Sequence, residues 1–344
     1  MYKTKEIKIG NTKIGGNNPI LIQSMTTTKT KNIKETINQI HELEQAGCEI
    51  IRLAILDNED CKAVKEIKKN IKIPLVCDIH YDYRLAINSI INGCDKIRFN
   101  PGNLRNKEHI KEIVKYCKEY HIPIRIGINS GSLPPHLDAT PENLVNLAKE
   151  NIKLLEDKDF YDIVLSIKTT NLKLTIDSNI LAAKLFNYPL HLGITESGTT
   201  FSGTIKSSAG LSILLNQGIG STIRISLTGN PVEEVKVAKE LLKSLELRVL
   251  GPTIVSCPTC GRCNYDMIPL ALKVEKYLEN VKKNIKVAIM GCPVNGPGEA
   301  KDADIGIAGS KDEILLFKKG IVIRKINEEN LFEELIKEIN NMED

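Results

Sequence analysis

The sequence predicts an α/β protein, a (β/α)8 TIM barrel followed by a small α+β domain. Three observations carry that expectation. Eight short β-rich runs alternate with amphipathic helical segments between residues 19 and 246. The rhythm breaks near residue 250, where Gly, Pro and clustered Cys interrupt it. No G-x-G-x-x-G follows an early strand, which weakens the rival open doubly wound sheet. A chain of 344 residues suits one large and one smaller domain, and a hydrophobic content of 42% can fill both cores. The expected boundaries are 1–250 and 251–344.

The opening KEIKIGNTKIGG reads as a hairpin turning at Gly10-Asn11. The eight runs are 19-PILIQSM-25, 49-EIIRLAI-55, 73-IPLVCDI-79, 96-KIRFN-100, 123-PIRIGIN-129, 162-DIVLSIK-168, 190-LHLGITE-196 and 222-TIRISL-227. Segments such as 31-KNIKETINQIHELEQAG-47 lie between them. They carry apolar residues every three or four positions, here with a glycine stop. The last barrel helix, 231-PVEEVKVAKELLKSLE-246, opens on proline at its first position. The stretch 248-RVLGPTIVSCPTCGRC-263 reads as a linker and domain start. A helix near 266–282, a strand at 285–291, strands near 304–308, 313–317 and 320–324, and a helix at 327–340 complete the expected small domain.

Composition narrows the function classes. Lys+Arg 47 against Asp+Glu 43 is too balanced for a nucleic-acid binder by charge. It leaves room for a local basic pocket. No apolar run approaches the roughly 20 residues of a membrane span. The start MYKTKEIKIG lacks an apolar signal core. Nine cysteines without a signal point to a reducing, cytoplasmic setting. Cys48, Cys61, Cys77, Cys94 and Cys117 read as small residues of apolar or helical segments.

In a barrel, the chemistry gathers where strands end. Those ends carry Gln23 and Ser24, Arg52, Asp78 and His80, Arg98 and Asn100, Arg125 and Asn129, Lys168, Thr195 and Glu196, and Arg224 and Ser226. Each single cation has an ordinary reading as a salt-bridged surface residue. Five from five strands of one barrel would repel in one cavity, so an anion must offset them. Guanidinium forks suit phosphate oxygens, so a phosphate or diphosphate ligand is expected. Small-residue segments at 101-PGN-103, 130-SGS-132, 197-SGTTFSGT-204 and 207-SSAG-210 offer backbone N–H groups to the same anion, or are ordinary turns.

The cysteine string 256-SCPTCGRC-263 brings Cys257, Cys260 and Cys263 within reach of one metal. A zinc ribbon needs a second C-x-x-C, which is absent. The bacterial ferredoxin run is followed only to Cys263, and Met267 occupies its next ligand position. Remote candidates are Cys292 and, across a Gly-Pro-Gly turn, Glu299 in 290-MGCPVNGPGEA-300. That makes five candidates for four places.

At SCPTCGR and CPVNGPGEA the sequence resembles the 4-hydroxy-3-methylbut-2-enyl diphosphate synthase family. The resemblance extends to IQSMT, CDIHYDYRLA, IRFNPGN, RIGINSGSL, GITESG and TIRISLTGNP, nearly the whole chain. It implies a barrel that binds 2-C-methyl-D-erythritol 2,4-cyclodiphosphate. It implies a [4Fe–4S] cluster held by Cys257, Cys260, Cys292 and Glu299. It further implies two electrons from flavodoxin or ferredoxin, reductive ring opening with loss of water, and a head-to-tail homodimer. Arg52, Arg98, Arg125, Lys168 and Arg224 would then hold the diphosphate, with Asn129 and Ser226 as neutral donors. Asp78, His80, Asn100 and Thr195 would orient hydroxyl groups, and Glu196 would donate a proton. Cys263 departs from the family pattern and leaves an all-thiolate site open. The rival readings are a zinc-stapled barrel binding a phosphorylated metabolite without redox chemistry, and a radical-type cluster enzyme. The latter would carry C-x3-C-x2-C early in the chain, which is not the spacing here.

Overall fold

The structure is a computed structural model that describes residues 2–100, 102, 104, 106–293, 298, 300–310 and 313–342. It divides into two compact units, Met1–Arg248 and Val249–Asp344.

The first unit opens with an antiparallel hairpin, β1 (Ile7–Ile9) and β2 (Thr12–Ile14). Its turn passes through Gly10 in left-handed backbone, as the Gly-Asn pair predicts. Ile7, Ile9 and Ile14 pack with Leu21, Ile50, Val76 and Val164, which stand on the barrel strands. The hairpin thus supplies apolar side chains to the barrel core and leaves the opposite end for polar groups.

The barrel strands are β3 (Leu21–Met25), β4 (Ile50–Ala54), β5 (Leu75–Asp78), β6 (Lys96–Phe99), β7 (Ile124–Ile128), β8 (Ile163–Ile167), β9 (His191–Leu192) and β10 (Thr222–Ile223). Their pairings are parallel and run β8-β7-β6-β5-β4-β3-β10-β9. A parallel bridge between Leu165 and Leu190 joins the two ends of that order. A helix follows each strand: α1 (Ile33–Ala46), α2 (Asn58–Asn70), α3 (Tyr83–Ile91), α4 (Lys107–Tyr120), α5 (Pro141–Glu156), α6 (Leu172–Leu185), α7 (Thr200–Leu215) and α8 (Pro231–Ser244). The (β/α)8 expectation holds.

Local chemistry sets the helix ends. Asp57, Asp82, Asn106, Thr140, Asn171 and Asn230 each cap a helix start by accepting a backbone N–H. Gly47 ends α1 in left-handed backbone. Strands β9 and β10 are shorter than the runs 190–196 and 222–227, because their polar ends leave the ladder for the cavity. The segment 207-SSAG-210 is not a loop but lies inside α7. There Gly210 allows close packing, since a Cβ would stand 2.5 Å from Leu172 and 3.0 Å from Ile194.

The second unit is a five-stranded mixed sheet, ordered β11 (Thr253–Ser256), β12 (Lys286–Met290), β13 (Ile305–Ser310), β14 (Glu313–Lys318) and β15 (Ile321–Ile326). Helices α9 (Met267–Leu278) and α10 (Leu331–Asn341) pack on it through Leu270, Val274, Leu335 and Ile339. The stretch 248–263 does open the second domain, but within it Thr253–Ser256 forms an edge strand rather than linker. That strand pairs in parallel with β12. The last helix begins later than residue 327, after a short 3-10 turn over Glu328–Asn330. Among the described residues no helix is long and apolar enough to cross a membrane.

Candidate active site

Alternation along the barrel strands aims the cations inward. On β6, Lys96 and Arg98 share a face, and on β7 Arg125 and Gly127 share one. Register then sets Arg98 beside both Asp78 and Arg125. The result is a cavity of about 230 Å³ lined by Arg52, Asp78, His80, Arg98, Arg125 and Asn129, and across from them by Lys168, Thr195, Arg224 and Ser226. Asn100 lines an adjoining cavity of about 250 Å³ that shares His80, Arg98, Gly127 and Asn129. Its Oδ1 accepts the Gly102 N–H at 3.1 Å. These positions, named from strand ends alone, therefore converge.

One residue falls elsewhere and one is not described. Glu196 is exposed, outside this lining, with its backbone in the left-handed region at φ 51°. Such strain in a non-glycine residue costs on the order of 1 kcal/mol and concentrates at functional sites. Glu299 lies outside the described residues, as does part of 101-PGN-103. The segment 130-SGS-132 forms a single 3-10 turn after Asn129.

Two glycines make room for the cations. A Cβ on Gly127 would stand 2.7 Å from Arg98 Nε. One on Gly193 would stand 2.5 Å from Lys168 Nζ.

The cavity is short of negative charge. Five cations face one carboxylate among the described lining residues. Asp78 accepts from Arg98 Nη1 at 2.9 Å and stands 3.6 Å from Arg52 Nε. Burial alone would raise its pKa, but Arg52, Arg98 and Arg125 outweigh that and hold it below the usual range. Burial, then the Arg224 charge, pushes Arg52 down to about 9 against the opposing pull of Asp78. Burial and neighbouring guanidinium groups also hold Arg125 and Lys168 well below their ordinary values. Arg125, 1% exposed, keeps an Nε without a hydrogen-bond partner among the described residues. Such a set is relieved by a multiply charged anion.

Supporting residues that the sequence reading passed over stand behind the cations. Gln23, noted only as a strand-end residue, accepts from Arg125 Nη1 at 3.2 Å. The Met25 sulfur accepts from Arg52 Nε at 3.0 Å and lies 3.8 Å from Arg224 Nη1. Glu234, buried on α8, stands 3.7 Å from Arg224 Nε. It also accepts from Ser24 Oγ at 3.3 Å and from the Leu227 N–H at 2.9 Å. His191 contacts Lys168.

In the second unit, topology brings two thiols to neighbouring strand ends, although no three His, Cys, Asp or Glu side chains converge closely enough to hold a metal ion among the described residues. β11 and β12 are parallel neighbours with Ser256 beside Ile289, so Cys257 and Cys292 leave adjacent strand ends. Cys257 Sγ accepts the Gly291 N–H at 3.2 Å. Arg262 donates to Cys260 and lies within the electrostatic reach of Cys292 and Cys257. Hydrogen bonds from the Arg262 backbone, then its side chain, hold the exposed Cys260 thiol below its usual range. Cys263 Sγ turns to the Tyr265 carbonyl at 3.2 Å. It packs against Gly291, where a Cβ would stand 2.6 Å from the sulfur. The five barrel cysteines are all buried, as is Cys292, whereas Cys257 and Cys263 are half-buried and Cys260 is exposed.

Comparison with known proteins agrees with both halves. The family model described as the GcpE TIM-barrel domain matches residues 4–239, and that of the GcpE protein C-terminal domain matches residues 253–341. The chain belongs to the GcpE family. A relative from Ruminiclostridium cellulolyticum is 56% identical over 99% of this chain and 98% of its own. One from Caldanaerobacter subterraneus subsp. tengcongensis is 56% identical over 98% and 97%. Both are called 4-hydroxy-3-methylbut-2-en-1-yl diphosphate synthase (flavodoxin). Among solved structures, dihydropteroate synthase of Yersinia pestis aligns over 72% of this chain and 98% of its own, with TM-score 0.53 and 13% identity. Type I 3-dehydroquinate dehydratase of Clostridium difficile aligns over 71% and 98%, with TM-score 0.53 and 16% identity. These two share the barrel fold alone, so the cations of this GcpE chain are not explained by them.

Proposed function

We propose that this chain is an oxidoreductase that opens 2-C-methyl-D-erythritol 2,4-cyclodiphosphate reductively and dehydrates it to (E)-4-hydroxy-3-methylbut-2-enyl diphosphate, with flavodoxin as electron donor. The observation that carries the reading is the barrel cavity, in which five cations from five strands or the turns just after them face one carboxylate among the described lining residues. A cyclic diphosphate supplies the missing charge.

Arg52, Arg98, Arg125, Lys168 and Arg224 bind the phosphate oxygens, and Asn129 and Ser226 donate to them without charge. As the C–O bond breaks, the departing phosphate oxygen gains negative charge. The cations are already aimed and need no reorganisation to meet it. Asp78, His80, Asn100 and Thr195 orient the hydroxyl groups. Glu196 gives its proton to the hydroxyl that leaves as water.

The C-terminal unit is the redox half of this reading. Cys257, Cys260 and Cys292 would hold an iron–sulfur cluster in this reading: Cys257 and Cys292 leave adjacent strand ends, and the charge of Arg262 acts on all three thiols. Glu299 is the fourth ligand in this reading, and Cys263 a bystander turned to the Tyr265 carbonyl. When bound, a [4Fe–4S] cluster supplies the two electrons and a Lewis-acidic iron. A head-to-tail homodimer would bring each cluster unit to the partner's barrel.

Purification without oxygen tests the cofactor. Brown protein with about four irons per chain supports the reading. Colourless protein holding one zinc equivalent contradicts it.

A further inference from the structure

Lys168 enters the cavity with a neutral group behind it. Its Nζ lies 3.2 Å from His191 Nε2, and His191 Nδ1 lies 2.8 Å from Thr222 Oγ1. His191 and Thr222 are both 0% exposed. They are direct cross-strand neighbours on β9 and β10, so register fixes their hydrogen bond. Lys168 follows β8, next in order around the barrel. Its ammonium runs across Gly193, where a Cβ would stand 3.2 Å from Cε as well as 2.5 Å from Nζ.

Burial first, and then the charges of Lys168, Arg125, Lys96 and Arg52, hold His191 well below the ordinary imidazole range, so the ring is neutral. An ammonium donates and cannot accept. Nε2 is therefore the acceptor, and Nδ1 carries the ring proton and donates to Thr222 Oγ1.

We propose that His191 is a positioning residue, a neutral Nδ1–H imidazole anchored by Thr222 that accepts from Lys168 and aims its ammonium at the substrate's phosphate oxygens. This rests on the function proposed above. A carboxylate in that place, as Asp78 is for Arg98, would fix the lysine but cancel charge the anion needs. The imidazole fixes it and leaves the charge whole.

The test uses the whole, cluster-loaded chain, with KM and kcat read separately on the cyclodiphosphate. Losing a hydrogen bond to a charged group should raise KM of His191→Leu about ten- to hundredfold, with a smaller fall in kcat. His191→Gln, which keeps an acceptor oxygen, should recover most of the loss. Should His191→Leu fail to fold, 15N spectra of labelled histidine in the wild type decide the matter. A neutral Nδ1–H ring in the pyrophosphate complex supports the proposal. An imidazolium, an Nε2–H ring, or an unchanged KM in folded His191→Leu overturns it. A wild type that does not turn over the cyclodiphosphate sinks the proposed function instead, which keeps the two failures distinct.

Discussion

Asp78→Asn isolates the electrostatic problem of the barrel. The carboxylate is buried, 2.9 Å from Arg98 Nη1 and 3.6 Å from Arg52 Nε. Removing the charge leaves those guanidinium groups facing Arg125, Lys168 and Arg224, with Glu234 behind Arg224 as the remaining buried carboxylate nearby. Breaking one side of a buried ion pair costs about 3–5 kcal/mol. Asparagine keeps an oxygen for Arg98, which places the loss near the lower end, about 3 kcal/mol. For a folding unit of this size that lowers Tm by about 6–12 °C. Thermal unfolding of the whole chain, followed by circular dichroism at pH 7, measures it. Pyrophosphate should restore part of the loss, because it brings the missing charge. The pH dependence has a definite sign. The folded pKa of Asp78 lies below its unfolded value. Its contribution is thus present above about pH 4 and lost as pH falls through the lowered folded value. The gap between variant and wild type should close in that acid range. A variant within about 2 °C of wild type at pH 7, and indifferent to pyrophosphate, would overturn this picture of the cavity.

Three further outcomes are expected. Glu196→Gln should keep the visible absorbance and lose most turnover, and full activity would remove Glu196 from the mechanism. Cys263→Ala should leave the cluster intact, whereas Glu299→Ala should make it labile during gel filtration. The opposite pattern would indicate an all-thiolate site. Gly127→Ala should displace the Arg98 guanidinium, since a Cβ would stand 2.7 Å from its Nε. A KM raised about tenfold, with a Tm that falls because Arg98 is moved off Asp78, is the expected signature.

The barrel was legible because its parallel strands are covered on both faces and read as short apolar runs. The cavity cations were legible for the same reason: an arginine inside IIRLA, KIRF or IRIGI breaks an apolar run. Strand β11 was not, because TIVS is an edge strand, only partly buried and bounded by Pro252 and Pro258. Glu234 was hidden by its place in the first turn of α8, where a carboxylate already favours the helix dipole. Only the folded chain brings it to Arg224. His191 sits in an apolar strand and reads as a core histidine, until Lys168 is seen against one nitrogen and Thr222 against the other. The segment 207-SSAG-210 misled because small residues serve helix packing as readily as phosphate loops.

The central claim is that the barrel cavity holds a cyclic diphosphate while electrons enter through the C-terminal thiol cluster. Anaerobic turnover of 2-C-methyl-D-erythritol 2,4-cyclodiphosphate with a one-electron reductant tests it most directly. The account predicts (E)-4-hydroxy-3-methylbut-2-enyl diphosphate, formed with two electrons consumed per product and lost when Cys292 is replaced by Ala. Tight binding of the cyclodiphosphate to iron-loaded protein, with no reduced product from any reductant, would contradict it.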